Sequence, residues 1–332
     1  MSIFKKFKKS KLVESTNNLS HREEEEVILS QLDDFEADTG SGPKKLNVQK
    51  AANKSDSLSE SSKFSAYDEI KSTDIACLGR VIAIANQKGG VGKSTTAVNL
   101  SSYLADSGYR TLIVDFDPQS NSTSGIGLEK DNIRQSIYDV LINNFDPVKA
   151  ILKTPYNNLY ILPSSIQLAG AEVELVSAMK REYKFKNAID KIKSQFDFII
   201  VDCPPALGLL TVNALTGAKE VLIPIQCEYY ALEGLSQLMD TITLIKENLN
   251  EQLVITGVVM TMYDQRTKLS ELVIEEVKSH FPDKVYKTVI PRNVRLSEAP
   301  SYGKPIIYYD PECKGAQAYK SLTKEVIANG PA

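Results

Sequence analysis

Five short runs of valine, isoleucine and leucine recur along the second part of the chain and narrow the folds it can adopt. Each run is nearly all apolar, as expected of a strand covered on both faces, and helix-period stretches separate the runs. This alternation predicts an α/β fold with a doubly wound, mostly parallel sheet and with ligands at the carboxyl ends of the strands. The predicted strands are residues 81–85, 112–114, 198–201, 221–225 and 254–259, and the predicted helices are 94–106, 183–195, 232–248, 269–280 and 315–327.

Residues 1–77 differ in composition from residues 78–332. They are rich in lysine, glutamate, serine and asparagine and poor in apolar side chains, so they cannot bury enough surface to offset their chain entropy. We therefore predict a disordered N-terminal extension, 1–77, followed by one α/β domain, 78–332. The basic start, residues 1–9, leaves two interpretations open: a solvated tail, or an arm that binds a partner or makes a weak contact with an anionic membrane surface.

A glycine-rich loop follows the first predicted strand and opens the first predicted helix. The backbone amides of such a loop, together with the helix N-terminus, can bind phosphate. Lys93 supplies a cation for the β- and γ-phosphates, Ser94 a hydroxyl ligand for Mg²⁺, and Thr95 a hydroxyl for the α-phosphate. Strand, loop, Gly-Lys-Ser and helix coincide, which predicts a P-loop NTPase. The predicted nucleotide-binding residues of the loop are Lys88, Gly89, Gly90, Val91, Gly92, Lys93, Ser94 and Thr95.

Aspartates stand at the ends of two predicted strands. Asp115 and Asp117 are two residues apart, so their side chains point the same way, toward the ligand edge of the sheet. Asp202 follows four apolar residues, the pattern of a Walker B carboxylate that holds Mg²⁺, usually through its water shell. These positions predict a metal site formed by Ser94, Asp115, Asp117 and Asp202.

An additional lysine, Lys88, directly precedes the glycine pair of the loop, and Gln87 replaces the first glycine of the standard Walker A motif. The sequence K-G-G-V-G-K-S resembles the deviant Walker A loop of the ParA/MinD superfamily. The resemblance implies that Lys88 reaches across a homodimer to the phosphates of the other subunit's nucleotide. It also implies that Asp117 positions or activates the hydrolytic water. Lys88, Lys93 and Asp117 are therefore the predicted catalytic residues of an ATPase, with ATP as substrate and Mg²⁺ as cofactor.

Two later stretches, Q-C-E-Y-Y-A-L-E-G at 226–234 and I-P-R-N-V-R-L-S-E-A-P-S at 290–301, closely resemble the Soj branch of this superfamily. In relatives the P-R-N element lies against adenine and ribose, which assigns ATP-binding roles to Pro291 and Asn293. Arginines of the family bind DNA without sequence preference, and the matching positions are Arg266 and Arg295. The resemblance implies an ATP-dependent homodimer that binds double-stranded DNA and acts with a ParB-like partner in chromosome or plasmid partitioning. It also implies a cytoplasmic, nucleoid-associated protein.

Composition sets limits on this interpretation. The formal net charge is -3, so DNA binding would require a local basic patch. No apolar run is long enough for a transmembrane helix. The four cysteines are scattered singly, which does not offer the paired ligands of an iron–sulfur electron carrier.

Three other functions compete with the partitioning ATPase. A MinD-like membrane-associated positioning ATPase is the main alternative, which the basic N-terminus keeps open. A non-enzymatic scaffold is another. A tyrosine-kinase relative would need a C-terminal tyrosine cluster, whereas Tyr308 and Tyr309 are predicted to pack within a strand.

Overall fold

A computed structural model describes residues 79–228 and 233–329. The predicted extension 1–77 lies outside the described residues, as does part of the 226–234 stretch. The strands are β1 Arg80–Ile84, β2 Thr111–Asp115, β3 Leu152–Lys153, β4 Leu159–Leu162, β5 Phe198–Asp202, β6 Glu220–Gln226, β7 Val254–Tyr263 and β8 Val285–Pro291. The helices are α1 Lys93–Asp106, α2 Asn121–Gly125, α3 Ile137–Ile142, α4 Pro147–Ala150, α5 Leu168–Glu174, α6 Lys184–Ile189, α7 Leu209–Gly217, α8 Glu233–Asn248, α9 Lys268–His280, α10 Val294–Glu298, α11 Ile306–Tyr309 and α12 Lys314–Ala328.

The strands of the described residues form one eight-stranded sheet in the order β3-β4-β2-β5-β1-β6-β7-β8. β3 runs antiparallel to β4, and the other neighbouring pairs are parallel. β1 lies near the middle of the sheet; β2 to β5 form one side of it, and β6, β7 and β8 follow on the other side. The predicted fold class, doubly wound and mostly parallel, is therefore confirmed. In such a sheet ligands bind where the strand order reverses, beyond the carboxyl ends of the strands.

Both faces of the sheet are covered by helices, which explains the nearly continuous apolar runs in the sequence. Val81 and Ala83 of β1 belong to the larger core, formed with α3 to α9. Ile82 and Ile84, the alternate residues of the same strand, belong to a second core with α1 and α12. Because successive side chains of a strand point to opposite faces, one short run serves both layers.

A buried ion pair ties the beginning of β1 to its neighbours. Arg80 Nε and Nη2 donate to the two carboxylate oxygens of Glu220 at 2.9 and 2.8 Å, and Glu220 is 1% exposed. Arg80 Nη1 also donates to the main-chain carbonyl of Val326 in α12, at 3.0 Å. The pair thus links β1, β6 and the second helical layer.

Two local predictions are wrong. Residues 183–195 do not form one helix, because α6 ends at Ile189 in tighter turns: the Lys191 and Ile192 amides donate to the carbonyls three residues earlier. Tyr308 and Tyr309 lie in the single-turn helix α11, not in a strand. Pro305 precedes that helix with φ −56°, and its carbonyl accepts from the Tyr308 and Tyr309 amides. Tyr308 is exposed and stacks on Tyr156, with ring centroids 4.2 Å apart.

No helix in residues 79–228 and 233–329 has an apolar stretch long enough to cross a membrane.

Candidate nucleotide-binding site

The glycine-rich loop connects β1 to α1 and is anchored on both sides. The Asn86 side chain accepts from the Lys88 amide at 3.0 Å and donates to the Pro224 carbonyl at 2.7 Å. Further along, the Thr261 hydroxyl of β7 donates to the carbonyl of buried Val91 at 2.9 Å. The loop is therefore fixed against β6 and β7 before any ligand binds.

The conformation of the loop requires glycine at two positions. Gly90 has φ 73° and Gly92 has φ 88°, in the left-handed region that other residues rarely adopt. Gly92 is also the N-cap of α1 and provides no side chain to cap the helix amides. These amides are consequently left for a ligand, as at other helix N-termini that bind phosphate.

Lys93, the first residue of α1, is buried beneath the loop. The residue is 7% exposed, and its Nζ donates to the Lys88 carbonyl at 3.0 Å. Burial lowers the pKa of Lys93, while Asp202, Cys203 and Asp117 act in the opposite direction. The ammonium is thus held in a preset position at the floor of the loop, close to the predicted carboxylates.

Asp115 and Asp117, at the end of β2, have different environments. Asp115 is fully buried, and one carboxylate oxygen accepts from both the amide and the hydroxyl of Thr123, at 2.7 and 2.6 Å. Burial raises its pKa, which these hydrogen bonds oppose. Asp117 lies on the cavity described below, and its Oδ1 accepts from the Gln119 amide at 3.0 Å. Asp115 therefore holds the turn that presents Asp117, and its predicted metal contact stays a prediction.

Asp202 ends β5 next to the loop, and it retains an unused oxygen. Ser122 donates to its Oδ2 at 2.7 Å, whereas the buried Oδ1 has no partner with hydrogen-bond geometry among the described residues. Burial raises the pKa of Asp202, the charge of Asp115 adds to this, and the nearby Ser94 hydroxyl opposes it. An unpaired buried carboxylate oxygen beside a serine hydroxyl fits a Mg²⁺ site. In the described part of the chain, no group of three or more His, Cys, Asp or Glu side chains is arranged to hold a metal ion.

A cavity of about 430 Å³ lies in front of the loop, within the usual range for small-ligand sites. The structure brings together seven predicted residues there: Gly89, Gly90, Gly92, Lys93, Ser94, Thr95 and Asp117. Six other predicted residues do not line it: Lys88, Val91, Asp115, Asp202, Pro291 and Asn293. The first four of these are in the loop or at the strand ends next to it, whereas the last two are at the end of β8.

Pro291 and Asn293 have other local roles. Pro291 ends β8 opposite Tyr263 of β7, and the Asn293 side chain caps α10 by accepting from the Arg295 amide at 2.8 Å. The cavity wall expected from this region is formed a little later in the chain, by Ala299, Pro300 and Lys304. Contacts of Pro291 and Asn293 with a nucleotide remain a prediction.

Two glycines bring this later segment to the cavity. A Cβ on Gly303 would lie 2.7 Å from the Gly127 Cα, and a Cβ on Gly127 would lie 2.8 Å from the Gly303 carbonyl oxygen. Both glycines have positive φ, 60° and 88°. The two backbones therefore approach as only glycine allows, which places Ala299 and Pro300 opposite α2. Met262, which also lines the cavity, has φ 51° at the end of β7.

Known proteins resemble most of the α/β domain. Residues 79–255 match a family model described as an AAA domain. Over 253 residues, the chain is 59% identical to the sporulation initiation inhibitor protein Soj of Bacillus subtilis, covering 76% of this chain and 100% of that protein. It is 51% identical to the chromosome partitioning protein ParA of Myxococcus xanthus, covering 76% of this chain and 89% of that one.

The chain belongs to the Soj/ParA family of chromosome-partitioning ATPases. The predicted family is thereby confirmed. The homologues are P-loop ATPases, which supports ATPase activity and a partitioning role for this member.

Solved structures support the predicted ligands of this Soj/ParA protein. The cobyrinic acid a,c-diamide synthase of Mycobacterium smegmatis, solved with an ATP analogue and magnesium, is 37% identical to it. The match has a TM-score of 0.66 and covers 74% of this chain and 93% of that one. An ATP analogue and magnesium are thus bound by a protein with the same fold and appreciable sequence identity.

Lys88, the lysine that distinguishes the family's loop, lies at its edge and is partly exposed. Its Nζ is 3.7 Å from a carboxylate oxygen of Glu228, and the Lys88 side chain is 31% exposed. Glu228 also accepts from Arg292 at 3.2 Å and from Gln226 at 2.7 Å. In this Soj/ParA protein, Lys88 therefore lies at the protein surface, outside the nucleotide cavity of its own subunit.

The predicted DNA-binding arginines of this Soj/ParA chain lie on two different elements and are exposed. Arg266 follows β7 and pairs with Asp264 at 2.6 Å. Arg295 lies in α10 and pairs with Glu298 at 2.9 Å and with Asp310 at 3.3 Å. Exposed ion pairs of this kind stabilise a fold by little, so phosphates can replace the carboxylates at modest cost.

Proposed function

We propose that this protein is an ATP-driven switch that binds Mg·ATP, forms a homodimer around the nucleotide and in that state binds double-stranded DNA without sequence preference. Hydrolysis returns it to a form with low DNA affinity, and a ParB-like partner accelerates that step. The proposal accounts for the cavity at the P-loop and agrees with the partitioning names of the relatives.

The nucleotide is held by groups that the fold presets. The α1 amides and the Lys93 ammonium meet the phosphates, because both face the cavity from fixed positions. Ser94 and Asp202 are the residues that would hold Mg²⁺. When bound, the cation neutralises charge that develops on the β- and γ-phosphates.

Hydrolysis requires a carboxylate near the γ-phosphate, and Asp117 is the group available. It lines the cavity at the carboxyl end of β2, while Asp115 is engaged with Thr123 behind it. Asp117 can therefore orient a water molecule for attack or accept its proton. Lys88, at the surface beside its own cavity, can add a cation to the nucleotide of a second subunit.

One observation links the nucleotide to DNA: each predicted DNA-binding arginine adjoins a segment that lines the cavity. Met262 lies in β7 just before Arg266, and α10, which carries Arg295, continues directly into the turn that contains Ala299 and Pro300. A change of nucleotide that moves either wall segment moves the attached arginine as well. This arrangement gives the ligand a way to favour one DNA-binding geometry over another.

We expect Arg266→Ala combined with Arg295→Ala to lower the affinity of the ATP form for a random-sequence duplex by about tenfold or more. Since the dimer carries two copies of each arginine, the dependence of log affinity on log salt should become shallower, by roughly one for each phosphate that is no longer neutralised. Fluorescence anisotropy across a salt series measures both effects.

Arg134→Ala is the control, because Arg134 is exposed and does not line the cavity. It should leave the affinity and the salt dependence unchanged. Equal losses in the control and in the double variant would contradict the assignment, as would a double variant that binds like the wild type.

The partner and the location in the cell complete the proposal. Partitioning proteins act on a chromosome or plasmid, so we expect nucleoid association and stimulation of ATPase activity by a ParB-like protein together with DNA. Membrane association through the basic residues 1–9, the MinD-like alternative, would appear instead as ATP-dependent co-sedimentation with anionic vesicles.

A further inference from the structure

A second groove lies between α3, α4 and α6, apart from the nucleotide cavity. It has a volume of about 200 Å³ and shares no lining residue with that cavity. We call it the lysine groove. Its lining residues are Val140, Asn144, Phe145, Pro147, Met179, Lys180, Lys184, Asn187, Ala188 and Lys191.

The lysine groove carries uncompensated positive charge. Three lysines line it and no carboxylate does. Lys184 donates to the Asn144 side chain at 3.2 Å, and within the described residues Lys180 and Lys191 have no ion-pair partner. Three cations around one small concave surface attract an anionic ligand.

The nearby carboxylates are engaged elsewhere. Asp190 pairs with two lysines outside the groove, Lys186 at 3.6 Å and Lys193 at 2.6 Å. Glu182 pairs with Arg181 at 2.8 Å. Asp146, between Phe145 and Pro147, caps α4 by accepting from the Val148 amide at 3.1 Å. Within the described residues no carboxylate therefore forms an ion pair with the three lysines of the groove.

The backbone on both sides of the groove adopts an unusual conformation. Lys180 has φ 53° and Asn144 has φ 50°, both in the left-handed region, where a lysine is uncommon. The other described non-glycine residues with positive φ are Met262, which lines the nucleotide cavity, Ser120, which closes the turn after Asp117, and Asn158, which precedes β4 and lines neither cavity. Such conformations concentrate at binding sites, because the surrounding structure must hold them in place.

The floor of the groove is apolar, which narrows the class of ligand. Val140, Pro147 and Ala188 are buried, and Phe145 is half-buried. Met179 at the rim is 88% exposed, a large apolar side chain left facing solvent. A ligand that matches the whole groove carries both carboxylates and an apolar side chain, whereas the phosphate backbone of DNA offers no group for the floor.

We propose that the lysine groove binds an acidic peptide segment of a partner protein. Its carboxylates meet Lys180, Lys184 and Lys191, and one apolar side chain packs on the floor beside Met179. Because the groove and the nucleotide cavity have no residue in common, this site does not depend on the proposed ATP switch.

The test uses the full-length protein and a short fluorescein-labelled peptide in which glutamates flank a central leucine and phenylalanine. We expect the triple variant Lys180→Gln, Lys184→Gln, Lys191→Gln to bind this peptide about tenfold more weakly at low salt, as the summed effect of removing three exposed charge pairs. Met179→Ser should weaken binding of this peptide but not of polyglutamate of the same length. ATP binding by every variant should equal that of the wild type.

The charge-matched control replaces three exposed lysines on other elements, Lys246, Lys278 and Lys320, with glutamine. It should bind the peptide as the wild type does. Equal losses in the two triple variants would overturn the proposal, because they would reflect overall charge only. Polyglutamate binding as tightly as the mixed peptide, or no binding of the mixed peptide at millimolar concentration, would also overturn it.

Discussion

Lys93→Ala is expected to weaken ATP binding by about 30-fold or more and to abolish measurable hydrolysis. The Lys93 ammonium is buried under the loop and already fixed by the Lys88 carbonyl, so it reaches a bound phosphate without reorganisation. Removing one partner of a desolvated charge pair typically costs about 2–5 kcal/mol, and each 1.4 kcal/mol is a factor of ten. Calorimetric titration with ATP and Mg²⁺ measures the affinity directly.

A stability measurement distinguishes a loss of ATP binding in Lys93→Ala from misfolding of the variant. Burial lowers the pKa of Lys93, which means that the charged ammonium is costly to keep in this place without a ligand. Asp202, Cys203 and Asp117 act in the opposite direction, so the Lys93→Ala protein should stay folded and unfold in urea at a concentration close to that of the wild type. Lys246→Ala, on an exposed part of α8, serves as control and should bind ATP normally. A stable Lys93→Ala protein with nearly unchanged ATP affinity would contradict the assignment of the cavity.

Glu220→Ala is expected to lower the free energy of unfolding by about 3–5 kcal/mol, the usual cost of breaking a buried ion pair. Its two oxygens accept from Arg80, so the substitution leaves a guanidinium buried at the start of β1. The Arg80 contact with the Val326 carbonyl does not compensate for the missing charge. Urea unfolding followed by circular dichroism gives the difference.

A double variant tests the physical reason. Replacing a buried ion pair with apolar side chains of similar volume is often close to neutral, so Arg80→Met combined with Glu220→Leu should recover most of the stability that Glu220→Ala loses. A double variant as unstable as the single one would show that packing, rather than an unpaired charge, explains the loss.

Much of the fold could be predicted from the sequence, because the apolar runs that mark the strands are local patterns. The apolar runs at 81–85 and 198–201 are uninterrupted and buried on both faces, so composition alone marks them. The order of the strands depends on contacts across the sheet that no local pattern encodes. The error at Tyr308 has a similar origin: a short apolar stretch resembles a strand, but Pro305 starts a helical turn there.

The candidate site divides in the same way. The loop residues and Asp117 could be found because each belongs to a short local pattern. The glycines and Lys93 directly follow β1, and the carboxylates stand at the end of β2. Met262 and Ala299 could not, because they reach the cavity only through β7 and through the close approach of Gly127 and Gly303. In the sequence, the two glycines themselves could have pointed to this wall, because both adopt a positive φ. Glycine in a loop is too common, however, to indicate a site by itself.

In the proposed switch, the bound nucleotide decides whether the protein holds DNA. The most direct measurement is the affinity of the wild-type protein for a random-sequence duplex with ATP, with ADP and without nucleotide, each across a salt series. The proposed switch predicts tight DNA binding with ATP only. The affinity should fall steeply as salt rises, because contacts with DNA phosphates provide most of the binding energy. Equal affinity for DNA with ATP, with ADP and without nucleotide, or no DNA binding in any of these forms, would contradict the proposed switch.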